Sequence, residues 1–572
     1  MSALRTVTAE PAEAARRGPV PIYQVLAEDI ARMGVETCFT LMSDDTIGLC
    51  VALDAVGIRL CSPRHETNAV LAAEGYAAAT GRLGIVVIGR GPAAANGMHG
   101  IMVAARSGSP VLIIMGDNEP GQDRNAIGPD YKNYNAASVM AAAGLKTFTV
   151  SAPETARATL AAAARAAWMG AAVTLHIPAS VQNALATPSD DIAATDVRPT
   201  PASAPARPQA IAAAASVLAG ARRPLILAGL GAHRAGAREA IERLAETTGA
   251  LLVTSFKGKD FFRGSPYNLG VCGSFSHSLA RRYIDGADCV LVFGASLNFY
   301  TTSKGTAFPD VPVIQVDPVR ANIGRWHPAD IAVVGDAKTI AERLAAALPA
   351  RSSDEKPFHA PAVLAEIADF DLTRDFQPAD TARTLDPRTL AVALERLLPE
   401  NRNLVYDAGN FIMVATYLSV PGPAHLKVSS DFASMGAGFG TALGFAAGRP
   451  DETSVLVIGD GGFLMTLSEL ETVARSGLSL IIVVINDCAY GAELQFCRQR
   501  NLPEATSVFA DVDFAPLAAT LGFQTATIRT LADLERCRTE MGDWTGPILL
   551  DCKVNADVPA PFIAELVGKA EH

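Results

Sequence analysis

The sequence predicts an α/β protein made of three Rossmann-like domains, each built on a parallel sheet. Three observations carry that prediction. Short unbroken apolar runs, rich in β-branched residues and often ending in Gly, recur through the 572 residues. Such runs suit strands buried on both faces by helices. Stretches of helical periodicity, such as IYQVLAEDIARM at 22–33, alternate with them, as βαβ units require. Two stretches rich in Pro and polar residues then cut the chain into three blocks, each near the ~150 residues expected of a domain.

In order, residues 1–20 read as a loosely packed tail. The first block, 21–185, opens on the helix at 22–33 and continues through apolar runs at 37–41, 84–89 (GIVVIG) and 110–116 (PVLIIMG). Residues 186–207, rich in Pro, Ala and Asp, read as a linker. The middle block, 208–350, carries RRPLILAGLG, GALLVTS, DCVLVFGAS and VPVIQVD as four parallel strands. A charged, Pro-containing connector at 351–385 leads to the third block, 386–556, with strands NLVYDAG, SVLVIGDGG, LSLIIVVIND and GPILLDC; 557–572 read as a C-terminal tail. The alternation predicts three copies of one architecture, with no repeat visible at the level of residues.

Composition narrows the functional class. The chain is 49% hydrophobic and 19% charged, with a net charge of -11, so it is neither disordered nor fibrous. Without a basic stripe, nucleic acid and anionic membrane surfaces are not its expected partners. No run of 18 apolar residues is long enough to span a bilayer. The N-terminus mixes Arg with Glu and lacks an apolar signal core. Nine cysteines are scattered without a CxxC pair, which predicts free thiols in a reducing compartment. Together these features predict a cytoplasmic protein.

The strongest chemical signal lies in the third block. A strand ends at Gly459-Asp460-Gly461-Gly462, a helical stretch FLMTLSELETVARSG follows, and the next strand ends at Asn486-Asp487-Cys488-Ala489-Tyr490-Gly491. A turn of small residues at a helix N-terminus lets backbone amides approach a phosphate. Asp460 would repel that phosphate. A hard divalent cation bridging the two resolves the conflict, and Mg2+ prefers oxygen ligands. Asp487, at the end of the following strand, is placed to complete the set with a nearby carbonyl.

With GDG, 24 intervening residues and then Asn-Asp, the sequence resembles the thiamine diphosphate (ThDP) enzyme family, and within it the acetolactate synthase and benzaldehyde lyase branch. Three further stretches carry the resemblance in the right order: RHETNAVLAAEGYAAATGRLG at 64–84, SSDFASMGAGFGTALG at 429–444 and VDFAPLAATLGF at 512–523. The resemblance implies a pyrimidine-binding, a central and a diphosphate-binding domain, with ThDP and Mg2+ as cofactors. It implies that Glu66 hydrogen-bonds the aminopyrimidine and that Met435 is the apolar wedge beneath the cofactor. Asp460, the Asp487 side chain and the Ala489 carbonyl would hold Mg2+. Gly459, Gly461 and Gly462 would cradle the diphosphate, and Gly409 and Gly491 would line the cleft. The usual second Asn of the motif is Asp487 here, which adds negative charge and makes the site more dependent on its metal. In the family, the first block of one subunit faces the third block of another, so the resemblance implies a homodimer at minimum and commonly a homotetramer.

The implied reaction is carbon–carbon lysis or ligation of a 2-oxo acid or acyloin through an enamine, with an aldehyde as a further substrate. Two alternatives stand beside it: a non-oxidative 2-oxo acid decarboxylase releasing aldehyde, and a ThDP-binding homologue without turnover. Substrate-side candidates are fewer. In the loop Leu41–Thr46 the adjacent Asp44 and Asp45 are either a helix N-cap or paired carboxyls doing acid/base work. The stretch 127–134 is similar to the synthase pattern IG.DAFQE, with Lys132 and Asn133 replacing Phe-Gln. Lys132 either pairs a substrate carboxylate or faces solvent. Phe496 matches an aromatic that narrows the pocket in relatives, with an ordinary core Phe as the alternative. His99 reads as structural. In the middle block, GASLNFY at 294–300 lacks the Arg of the family's GVRFDDR stretch, and the Gly229-Leu-Gly231 turn is nonspecific, so flavin is not expected.

Overall fold

The computed structural model describes residues 18–126, 128, 130–187, 206–349, 357–542 and 544–567. Residues 1–17 of the predicted tail, most of the 186–207 linker, the opening of the 351–385 connector and residues 568–572 lie outside the described residues. The chain divides into two compact units. One comprises residues 1–200, 429–454 and 466–480, and the other 201–428, 455–465 and 481–572.

Three six-stranded parallel sheets carry the fold, one per block. At the ends of the first block, β1 (Val20–Pro21) pairs antiparallel with β8 (Leu185–Ala186). Between them β2 (Thr37–Leu41), β3 (Arg59–Cys61), β4 (Gly84–Ile88), β5 (Val111–Asp117), β6 (Lys146–Thr149) and β7 (Ala172–Pro178) assemble in the order β3-β2-β4-β5-β7-β6. The middle sheet runs β11-β10-β9-β12-β13-β14, from β9 (Pro224–Ala228), β10 (Leu251–Thr254), β11 (Asn268–Val271), β12 (Cys289–Phe293), β13 (Val313–Asp317) and β14 (Ile331–Val334). The third runs β16-β15-β17-β18-β20-β19, from β15 (Arg402–Tyr406), β16 (Leu426–Val428), β17 (Thr453–Gly459), β18 (Leu480–Asn486), β19 (Gln524–Ile528) and β20 (Ile548–Lys553).

The strand orders correct one expectation. Counted along the chain, the first and third sheets both run 2-1-3-4-6-5, whereas the middle sheet runs 3-2-1-4-5-6. The blocks are thus two copies of one topology around a different one. Central strands such as β4, β5, β12 and β18 are buried at every residue, which explains their unbroken apolar sequences. The 351–385 connector holds a helix, Pro361–Ala368, and the C-terminal stretch another, Pro561–Val567. The helical stretch after Asp460 is two helices, Asp460–Met465 and Glu469–Ser476.

Within the first unit the helix Glu66–Thr80 packs along Ala437–Gly448. Both helices are buried along most of their length, and the contact is made through glycine. A Cβ at Gly75 would overlap the Thr441 carbonyl oxygen, and one at Gly444 would overlap that of Ala72. The small residues of GAGFGTALG therefore serve backbone-to-backbone approach. All nine cysteines are free, and among the described residues no helix is long and apolar enough to cross a membrane.

Candidate active site

In the second unit, β17 lies between β15 and β18, so the loops leaving these three strands emerge side by side. That is the crevice where open α/β sheets bind ligands. Asp460 opens its helix there, 2% exposed. One carboxyl oxygen accepts the Gly461 N–H at 2.9 Å; the other, Oδ2, is buried with no hydrogen-bond partner. Burial, then the charge of Asp487, pushes the Asp460 carboxyl up to about 8. Burial likewise pushes Asp487 up to about 7. Two carboxyls that resist ionising together, one with an orphaned oxygen, form a donor set that a divalent cation would neutralise.

The loop after β18 is tightly wound around Ala489. Asn486 Oδ1 accepts the Cys488 N–H at 3.3 Å and Asp487 Oδ1 accepts the Ala489 N–H at 3.2 Å. These are two successive Asx-type turns. They hold Cys488 in the left-handed region at φ 56°, a strain typical of functional loops. On either side of Ala489, Tyr490 N–H donates to Ser507 O at 2.8 Å and Phe509 N–H to Cys488 O at 2.9 Å. The Ala489 carbonyl itself receives no hydrogen bond among the described residues. Asn486 is a strut, its Nδ2 donating to Asp551 at 2.9 Å and to Val512 O at 3.1 Å. Gly491 is required by crowding, because a Cβ there would overlap Asp487 Oδ2. Gly409 and Gly459 both lie against the Phe411 ring, and Gly461 lies against that of Tyr490. Gly462 completes the helix start. Phe496 is half-buried against the domain core, with the Arg500 guanidinium 5.5 Å from its ring centre. Among the described residues no group of three or more His, Cys, Asp or Glu side chains could hold a metal, so a cation here would depend on two carboxylates and backbone oxygen.

The first unit holds Glu66, 9% exposed at the start of its helix. His65 caps that helix, its Nδ1 accepting the Thr67 N–H at 3.1 Å. Asn96 Nδ2 donates to Glu66 Oε2 at 3.2 Å. Met435 is half-buried just before Gly436, whose φ of 79° turns the chain into the helix Ala437–Gly448. Its neighbour Ser434 bonds His99 Nε2 at 2.8 Å, so His99 anchors the segment that carries Met435.

The acidic loop departs from its N-cap reading. The N-cap position of the helix Ile47–Ala55 is Thr46, without a side-chain cap hydrogen bond, so neither Asp44 nor Asp45 is its N-cap. The two carboxyls have different partners. The Lys132 ammonium bonds Asp44 and holds its carboxyl down at about 2, while Asp45 Oδ2 accepts the Arg90 N–H at 3.0 Å. Lys132 also reaches Ser43 Oγ at 3.1 Å, and its side chain is 33% exposed in this pair. Asn133 is a loop strut. It receives the Asn118 amide and donates to the carbonyls of Asp123 and Ala126 at 2.8 and 2.5 Å. Ile127 and Pro129 of the same stretch lie outside the described residues. In the middle block, the Gly229 and Gly231 amides are spent on the carbonyls of Phe293 and Gly294 at 2.9 and 3.0 Å.

One residue escaped the sequence reading. Glu469 is fully buried and accepts the Arg64 N–H and Asn68 Nδ2. Its only signal was a carboxylate on the apolar stripe of its helix, in register with Thr472 and Val473.

Three descriptions of thiamine pyrophosphate enzymes match the chain in order: the N-terminal TPP binding domain at 22–144, the central domain at 211–344 and the C-terminal TPP binding domain at 407–552. The chain belongs to the ThDP enzyme family. This ThDP-dependent enzyme is 27% identical to a probable acetolactate synthase large subunit of Methanocaldococcus jannaschii, over 87% of its own length and 86% of the relative. It is 27% identical to the acetolactate synthase isozyme 2 large subunit of Escherichia coli, over 93% and 95%. It is also 26% identical to a probable 2-ketoarginine decarboxylase of Pseudomonas aeruginosa, over 90% of each. The two TPP-binding matches fall on the two blocks with equal strand order, and the Asp460 crevice lies in the second of them.

Proposed function

We propose that this ThDP enzyme is an Mg2+-dependent carbon–carbon lyase or carboligase acting on a 2-oxo acid or acyloin, as the acetolactate synthases it resembles would lead one to expect. The observation that carries the reading is the orphaned Oδ2 of Asp460, buried in the field of Asp487, whose loop also carries the Ala489 carbonyl. These three groups would hold Mg2+, and the small-residue turn Gly459–Gly462 at the helix start would leave room for the diphosphate. Bound ThDP supplies a thiazolium that stabilises negative charge where a carbonyl-adjacent bond breaks. The chain's own residues do the rest. Asn96 fixes Oε2 of Glu66, leaving Oε1 to exchange a proton with a pyrimidine nitrogen. Met435, held through Ser434 by His99, would supply apolar bulk against the cofactor. The Lys132–Asp44 pair is internally neutralised, so it offers polarity at the substrate side without net charge.

Release of free aldehyde is the second reading, supported by the likeness to a decarboxylase over a comparable share of the chain. Incubating the protein with ThDP, Mg2+ and pyruvate, and following products by NMR, tests both. A coupled 2-hydroxy ketone supports ligation and free acetaldehyde supports the decarboxylase. No consumption of pyruvate, of longer 2-oxo acids or of acyloins would dismiss both in favour of a homologue without turnover.

A further inference from the structure

The helix Glu469–Ser476 is fastened along its length to the segment that leads into Glu66, entirely within the first unit. Ser476 Oγ meets Cys61 Sγ at 4.0 Å, Arg475 donates to the Ser62 carbonyl, and Glu471 pairs with Arg64 at 2.6 Å. Glu469 stands at the near end of this seam. Its carboxylate accepts the Arg64 N–H at 2.9 and 3.1 Å, Asn68 Nδ2 at 2.8 Å and its own helix's Thr472 Oγ1 at 2.6 Å. The first two donors lie two residues before and two residues after Glu66. One buried charge thus grips both flanks of the carboxyl that the functional reading places against the cofactor.

That arrangement is more than the seam needs. Glu471 and Arg475 already tie the helix down at its solvent side, with side chains 33% and 40% exposed. A buried carboxylate is a costly way to fill space, and an apolar residue of similar volume often packs as well or better. What the carboxylate adds is direction. It fixes the Arg64 amide ahead of the helix and the Asn68 side chain in its first turn, and so fixes the vector along which Glu66 leaves the backbone.

We propose that Glu469 is a positioning residue for Glu66, holding its carboxyl at the angle at which a proton passes to the pyrimidine. The proposal rests on the reading of Glu66 as the cofactor-activating group. Leu at 469 keeps much of the volume but removes both acceptor oxygens, whereas Gln retains an Oε1 that can still accept from Arg64 and Asn68 and should largely preserve the clamp. In cofactor-free Glu469→Leu, backbone amide exchange in peptides covering 60–72 should quicken about tenfold, while 437–448 stays protected. With Mg2+ present, ThDP affinity should hold within about threefold, yet exchange of the thiazolium C2 proton into D2O should slow about tenfold or more. In the double variant with Glu66→Gln, no further slowing is expected, because both changes act through one carboxyl. Unchanged C2 exchange in Glu469→Leu, or slowing that adds fully to that of Glu66→Gln, would overturn the proposal alone. A wild-type protein that fails to bind ThDP would overturn the functional reading instead, and the amide exchange would still report whether the clamp exists.

Discussion

At the scale of single residues, Asp460 carries the most information. It is 2% exposed, half of its carboxyl is unpartnered, and its nearest charged neighbour is another acid. Left without a cation, such a group would be a liability of a kind folded proteins rarely keep. Asp460→Asn should therefore leave the metal-free protein at least as heat-stable as wild type, because it removes repulsion with Asp487. The same change should weaken Mg2+-supported ThDP binding about 100-fold or more, beyond the usual cost of disturbing a metal site's outer partners. Calorimetric titration with ThDP, with Mg2+ and then with a chelator, reads both effects. Wild-type binding that ignores the chelator, or a variant that binds as well as wild type, would refute the metal assignment. Asp460 and Asp487 were legible in the sequence because each directly follows one of two strands joined by a helical crossover, a spacing that implies adjacency. Asn486 was not, since nothing along the chain tells a ligand from a strut donating across to Asp551.

At the scale of elements, β7 shows both the strength and the limit of pattern reading. All seven of its residues are buried, yet a His sits among them. His176 is 0% exposed; its Nε2 bonds Thr174 Oγ1 at 3.1 Å, and its Nδ1 is buried without a hydrogen-bond partner among the described residues. Burial, helped by the Arg124 charge, pulls its pKa down to about 4. The folded state therefore refuses a proton that the unfolded chain accepts below about 6.5, so stability is present above that pH and is lost as pH falls toward 4. At pH 5 the loss from this one residue is of the order of 2 kcal/mol. His176→Leu should narrow the drop in Tm between pH 7 and pH 5, and an unchanged drop would acquit the residue. The same polar interruption hid β7 from a search for apolar runs. Edge strands such as β6 (KTFT), β16 (LKV) and β19 (QTATI) are short and only partly buried, so they too carry little hydrophobic signal, as edges commonly do. The doubly buried central strands declared themselves. The Lys132–Asp44 pair and the Glu469 clamp depend on side chains meeting across loops, which periodicity along one element does not encode.

At the scale of the whole molecule, the two groups that the functional reading needs are far apart in the chain. Glu66 belongs to the first compact unit and Asp460 to the second. The family resemblance implies that one copy's first block serves another copy's third block, which would make assembly a requirement for catalysis rather than an aid to stability. Two dead variants decide it. In a heterodimer of Glu66→Gln and Asp460→Asn chains, a site composed of two subunits pairs both lesions in one place and leaves the other site with an intact Glu66 and an intact Asp460. Random reassociation puts half of the chains into such dimers with one of two sites restored, so the mixture should regain about a quarter of wild-type activity. If each site were built within one chain, every site would keep one lesion and the mixture would stay as inactive as its parents. Dissociating and mixing the purified variants, with each parent alone as control, reads the difference directly. Rescue would also establish the dimer as the smallest active unit, whatever larger assembly forms around it.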